Sequence, residues 1–200
     1  MLYIALLLVL MLFVLGILIW LRKIQFDAVH RNFLDLVDHY GGRVIRDGFA
    51  IRPKFSGFVD DRRISISISS ERKTNKNPRR FYISIYLQAP AKINFTIMSN
   101  AWINLRQENK GSKRIIKQIM DKQYSIEVSS RNLLKNLDVF QIEKVVNQMH
   151  PFAYVLVSRK GLILERLSDN LIADTEYEKL NPLLKALQSL TSLPLKGEVS

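Results

Sequence analysis

Ile64-Ser65-Ile66-Ser67-Ile68-Ser69 alternates β-branched apolar and small polar side chains without a break. Along a strand successive side chains take opposite faces, so this spacing buries one face and leaves the other polar. A helix of 3.6 residues per turn would scatter the same isoleucines around its circumference. The stretch therefore decides for a half-buried β-strand. Downstream the period of two returns. Phe81, Ile83, Ile85 and Leu87 alternate with Tyr82, Ser84, Tyr86 and Gln88, and Ile93, Phe95 and Ile97 repeat the pattern. Pro90 separates the last two runs, and the polar segment from Glu71 to Asn77 separates the first two. The three runs are expected to form an antiparallel meander. Short strands are expected around Val44 and Phe58, and another strand over Tyr124–Val128.

Upstream of Gly41-Gly42 the period is helical. Phe26, Val29, Phe33, Leu36, Val37 and Tyr40 form a stripe, and Asp27 and Arg31 are spaced as an i,i+4 surface pair. The two glycines supply the stop, because glycine enters the left-handed conformation cheaply. Before the stripe, Leu2 to Leu21 is an apolar run of 20 residues. At about 1.5 Å per residue it spans roughly 30 Å, the hydrocarbon thickness of a bilayer. Tyr3 and Trp20 stand where interfacial aromatics belong, and Arg22 and Lys23 follow at once. A cleaved signal peptide would need a shorter apolar stretch and a small-residue cleavage site. The end of this run reads Gly16-Ile17-Leu18-Ile19-Trp20-Leu21-Arg22-Lys23 instead. We expect one helix over about 2–40, anchor first and stalk second. Arg22, Lys23 and Arg31 after the span, with no Lys or Arg before it, place the body in the cytoplasm by the positive-inside rule.

Beyond residue 128 helical spacing returns. Ser130 is expected to cap a short helix carrying Leu133, Leu134 and Leu137, and Asp138 with Gln141 approximates a capping box for a second. That second helix has the stripe Val139, Ile142, Val145, Val146 and Met149, and Pro151 ends it. Arg159-Lys160-Gly161 between two apolar runs reads as a hairpin turn. Thr175 and Glu178 form another capping-box pair, for a final helix holding Leu180, Leu184, Leu187 and Leu190, with Pro182 delaying its start by a turn. The fold class is α+β: an N-terminal transmembrane helix continuing into a stalk, then an antiparallel meander packed with helices. The division expected is anchor 1–22, stalk 23–42, α+β domain 43–195 and tail 196–200.

About 96 of the 200 residues are apolar, and the first 21 positions supply 20 of them. The remainder is ordinary for a folded domain, which excludes bulk disorder. The absence of cysteine excludes thiol catalysis, disulfide scaffolds and cysteine-based metal sites. The net charge of +12 is concentrated. Residues 43–118 hold 17 Lys and Arg against 5 Asp and Glu, while the segments on either side balance. The densest groups are Arg72, Lys73, Lys76, Arg79 and Arg80, then Lys110, Lys113, Arg114 and Lys117. Each cation near an anionic leaflet gains about 1 kcal/mol, fading within a Debye length of roughly 8 Å. Nucleic acid would reward the same clusters, although the loop at 72–80 has no aromatic of its own to stack on bases. An acidic protein face is a third partner, and a solvated basic surface the plainest account.

Few residues are spaced for chemistry. Asp35 and His39 are i,i+4 on the stalk but lack a third ligand, and His30 falls on the opposite face. His150 precedes Pro151 at a helix end, where an imidazolium suits the dipole. No phosphate loop, His-Glu-x-x-His or Gly-x-Ser-x-Gly occurs. Asp60-Asp61, followed by Arg62-Arg63, reads as a charged turn rather than an acid/base pair. The sequon Asn94-Phe95-Thr96 falls in a strand on the expected cytoplasmic side. No catalytic residue, cofactor or metal is assigned.

The order of elements over residues 31–190, with Met120-Asp121-Lys122-Gln123-Tyr124-Ser125-Ile126 followed by Leu133-Leu134, resembles a bacterial family of membrane-associated proteins of unknown function. That family carries an aromatic residue at the position of Met120 and a Gly-Asp pair where this chain has Lys117-Gln118. The resemblance implies a membrane setting and lends no catalytic residue.

The sequence therefore points to a single-pass, non-catalytic accessory or scaffold protein. Its basic domain would dock on a membrane complex or the anionic leaflet, with Tyr3, Trp20, Arg22 and Lys23 at the interface. A membrane-tethered nucleic-acid binder is the main alternative, and a hydrolase with an unrecognised site a further one.

Overall fold

The computed structural model describes residues 2–49, 51–71, 80–105 and 115–192. Helix α1 (Leu2–Tyr40) is continuous over 39 residues, roughly 58 Å at about 1.5 Å per residue. Its two halves differ in surroundings. The large apolar side chains from Tyr3 to Leu21 are 40–86% exposed, whereas Phe26, Val29, Phe33 and Leu36 are wholly buried. The steps of three, four and three residues keep those four on one face, and that face is part of the core. The Gly41 N–H donates to the Val37 carbonyl at 2.7 Å, with φ of +65° at Gly41 and +96° at Gly42. A Cβ on Gly42 would stand 2.2 Å from the Ser56 carbonyl oxygen, so the chain can turn back against the sheet only at a glycine.

Among the described residues the sheet has nine strands, all paired antiparallel. In chain order they are β1 (Arg43–Ile45), β2 (Lys54–Val59), β3 (Arg62–Ser70), β4 (Phe81–Leu87), β5 (Phe95–Ser99), β6 (Ile115–Ile119), β7 (Tyr124–Val128), β8 (Tyr154–Ser158) and β9 (Gly161–Ser168). Their spatial order is β1-β2-β3-β4-β9-β8-β5-β7-β6. The expected meander holds for β1 to β4 and then breaks. The β8–β9 hairpin occupies the edge of β4 that β5 was expected to take. Strand β9 matches β4 over seven register pairs, Phe81↔Ser168 to Leu87↔Leu162, while β5 has only five residues. Alternation fixes which face a side chain takes; it says nothing of which strand lies alongside.

One row across the sheet shows how the core is built. Phe55, Ile66, Ile85, Leu164, Val155, Ile97 and Ile126 are successive register partners, and every one is wholly buried. The other face of β3 carries Ser65, Ser67 and Ser69, half-buried, as the alternation requires. Helix α4 (Val139–Met149) buries Ile142, Val145, Val146 and Met149, and α6 (Tyr177–Thr191) buries Leu180, Leu183, Leu184 and Leu187.

The remaining helices are short: α2 (Asn100–Leu105), α3 (Arg131–Asn136) and α5 (Leu171–Asp174). The Ser130 and Asp138 side chains cap α3 and α4 by accepting from the Leu133 and Gln141 N–H groups. Two expectations at α6 fail. Thr175 does not cap it; Glu176 is the cap residue and makes no side-chain cap bond. The wholly buried Thr175 hydroxyl instead donates to the Leu171 carbonyl at 2.7 Å and accepts from Asn32 Nδ2 at 3.0 Å, tying α5 to α1. Nor does Pro182 delay α6, which starts at Tyr177 with the proline inside it. Leucines buried on both sides of the proline hold the helix despite the missing donor.

Candidate functional site

The junction between the exposed and buried halves of α1 is a small charged network. Asp27 accepts from Lys23 Nζ at 2.7 Å and from Arg46 Nη1 at 2.5 Å. Arg46 also donates through Nη2 to the Phe49 carbonyl at 2.6 Å, which fixes the loop after β1 against the helix. Lys23 Nζ lies 5.2 Å from the Phe49 ring centroid, and the Arg22 guanidinium 5.3 Å from that of Phe26. Phe49 is 63% exposed and Ile51 47% exposed. Phe49 is thus held out to solvent beside Lys23, two residues past Leu21, and Ile51 is exposed on the same loop.

The register places a second feature at the same end of the sheet. A row runs Lys54, Ser67, Ser84, Glu165, Tyr154, Met98 and Ser125 through seven strands. On one side of it lie the loop containing Arg46 and Phe49, the ends of β3, β5 and β9, the starts of β4, β7 and β8, and helix α2. The first of these meets α1 at Lys23 and Asp27, so this is the end at which the apolar half of α1 leaves the domain. There the side chains of Tyr82, Trp102, Tyr124, Phe152 and Leu167 line an open cleft of about 430 Å³, with Arg80 and His150 also on its wall.

Local bonding fixes these aromatics. Tyr124 stacks on Phe152 at 4.5 Å between ring centroids and meets His150 edge-on at 5.7 Å. The Tyr124 hydroxyl accepts from the Phe152 N–H at 3.2 Å and shares a hydrogen bond with His150 Nδ1 at 2.8 Å. Tyr82 donates to Glu71 Oε2 at 3.0 Å, and Trp102 tilts against Tyr154 with centroids 5.0 Å apart. Burial pushes the hydroxyls of Tyr124 and Tyr82 above the usual phenol value of 10.0, and the Glu71 carboxylate adds to the shift at Tyr82. The turn before Tyr124 places Met120, Asp121 and Lys122 at φ of 48°, 49° and 65°. Asn100 secures it: its amide donates to the Lys122 carbonyl and its Oδ1 accepts from Ser125 Oγ at 2.7 Å.

Of the residues expected to contact an anionic surface, Arg72, Lys73, Lys76, Arg79, Lys110, Lys113 and Arg114 lie outside the described residues. Arg80 stands at the cleft and Lys117 on edge strand β6, five strands from β4, so the structure does not bring those two together. Arg22 and Lys23 join the network around Asp27, and Tyr3 and Trp20 are exposed on the apolar half of α1. Asp60 and Asp61 form the two-residue turn between β2 and β3, both at positive φ. His39 bonds the Asp35 carbonyl at 2.8 Å and stacks on Tyr177 at 3.8 Å. Among the described residues no group of three His, Asp or Glu could hold a metal. Asn94 of the sequon stands just before β5, and its Oδ1 accepts from the Arg159 N–H at 3.0 Å. Sequence reasoning missed the cleft, whose aromatics come from four separated segments. It also passed over Phe49 and Ile51, although an apolar pair between Gly48 and Pro53 outside any alternation was a usable signal.

No protein-family model and no curated protein matches the chain. Among solved structures, the crystal structure of the mycobacterial trehalose monomycolate transport factor A, TtfA, matches with a TM-score of 0.51 at 6% identity. The match covers 84% of this chain and 97% of that one, and at that identity the likeness is one of fold. Among the described residues of this chain one helix is long and apolar enough to cross a membrane.

Proposed function

We propose that this chain is a single-pass, membrane-anchored, non-catalytic accessory protein whose basic domain lies on the cytoplasmic side, against the leaflet and a membrane complex. The observation that carries the proposal is the continuity of α1. The same helix is exposed and apolar from Tyr3 to Leu21 and part of the core from Phe26. A body attached in this way cannot swing on a flexible linker; it stays at a fixed height above the bilayer. Phe49 and Ile51 would then sit at headgroup level, where aromatic and apolar side chains are stabilised, and Arg22, Lys23 and Arg31 flank the span on the body side. Residues 43–118, with 17 cations, add attraction to anionic lipid worth about 1 kcal/mol for each cation near the surface. The chain shares its fold with a protein named as a transport factor, which is compatible with an accessory role at a membrane.

Purification of the full chain from its native membrane in mild detergent tests this reading. A partner retained at fixed stoichiometry is expected, and recovery of the chain alone contradicts the accessory role. The chain has no cysteine, so a single Arg159→Cys in the β8–β9 turn reports orientation. An impermeant maleimide is expected to label it only after the cells are opened; labelling of intact cells contradicts the cytoplasmic placement.

A further inference from the structure

We infer that the cleft between Trp102 and Tyr124 receives the acyl chain of a bilayer lipid. The inference rests on the membrane-anchored reading of α1 and deepens it. At about 430 Å³ the cleft is within the roughly 300–1,000 Å³ of small-molecule sites. Its wall is chiefly aromatic and aliphatic, and the hydroxyls on it are already engaged. Tyr124 serves His150 and Phe152, and Tyr82 serves Glu71. An alkyl chain gains apolar burial there without displacing these bonds.

Position selects the source of the chain. In strand register the cleft lies at the same end of the sheet as the loop that presents Phe49 and Ile51 and meets α1 at Lys23 and Asp27. Arg80, at the cleft and next to the basic stretch before it, offers a cation for the headgroup phosphate left outside. The aromatics are fixed by stacking, by the Tyr124–His150 bond and by the Asn100 clasp on the neighbouring turn, so little side-chain order remains to be lost on binding.

The test uses the full chain in vesicles of phosphatidylcholine and phosphatidylglycerol doped with phosphatidylcholine that carries a diazirine within one acyl chain. After irradiation, adducts are mapped by mass spectrometry. The expected result is adducts on residues of the α1 span and also on residues 99–102 and 150–153. Ala101→Trp, at an exposed position on the cleft wall, and Ala153→Leu, deeper within it, are each expected to abolish the cleft adducts and leave those on α1. Circular dichroism checks that each variant is folded. Adducts on α1 with none in the cleft overturn the inference and leave the anchor standing. Cleft adducts that survive both folded variants also overturn it, as surface labelling. No adducts on α1 overturn the anchor reading itself.

Discussion

Tyr124 connects three segments with one side chain: its ring stacks on Phe152, and its hydroxyl joins the end of α4 to the start of β8 through His150 and the Phe152 N–H. Tyr124→Phe keeps the stack but leaves the Phe152 N–H without its acceptor, a cost of about 1–3 kcal/mol in denaturant unfolding. The pH dependence has a defined sign. Burial raises the Tyr124 and Tyr82 values above 10.0, so the folded state holds these protons where the unfolded chain releases them. Their contribution is therefore complete below pH 10 and lost as pH rises beyond it. Thermal melts across the alkaline range are expected to fall, and to fall less steeply in Tyr124→Phe. A different residue-scale strain sits at Lys122, exposed and at φ of 65°. Lys122→Gly relieves a left-handed conformation that costs an ordinary residue about 1–2 kcal/mol, offset by up to about 1 kcal/mol of extra unfolded-state freedom. A small gain in melting temperature is expected. The Asp60-Asp61 turn could be read from its charge and its place between strands. At Met120–Lys122 the sequence marks Asp121 as a capping or turn residue, but not the left-handed backbone, which is imposed by the strands it joins and by Asn100.

Among the elements, α1 is the most legible and the most consequential. Its stripe of Phe26, Val29, Phe33 and Leu36 predicted a packed face, and all four are core residues. Phe33→Ala is expected to cost about 3–5 kcal/mol of body stability. Shortened chains sharpen the point: one starting at residue 22 should give a cooperative melt, and one starting at residue 43 should not. The glycine stop divides in the same way. Gly41→Ala meets only the conformational cost, about 1–2 kcal/mol, since nothing lies within 4 Å of the added carbon. Gly42→Ala adds an overlap with Ser56, worth about 1–3 kcal/mol more, so its unfolding midpoint should fall further. Strand existence was equally readable, because a period of two is a local property. Strand neighbours were not: the place of β5 depends on β8 and β9, some 60 residues later in the chain. Thr175 shows the same limit on a smaller scale. Its spacing to Glu178 fits a cap, yet Asn32 on α1 offers its buried hydroxyl a bond that only the tertiary structure reveals.

At the scale of the molecule, charge segregation was plain in the sequence but its layout was not. Composition put the whole excess of cations into residues 43–118, while the sheet sends Arg80 and Lys117 to separate places. What the fold adds is direction. In strand register the α1 junction, the exposed Phe49 and Ile51, and the aromatic cleft share one end of the sheet. The central claim is that this end lies at the bilayer surface. Single tryptophans test it most directly, at Phe13→Trp in the span and Phe49→Trp in the loop, with Trp20 and Trp102 both changed to Phe. The chain is placed in phosphatidylglycerol-containing vesicles with brominated lipids of graded depth. Phe13→Trp should be quenched most by bromines in mid-chain, and Phe49→Trp by bromines near the headgroups, with little quenching by aqueous iodide. A Phe49→Trp emission that iodide quenches fully and bromolipids leave unchanged would contradict the account, because the body would then stand clear of the membrane.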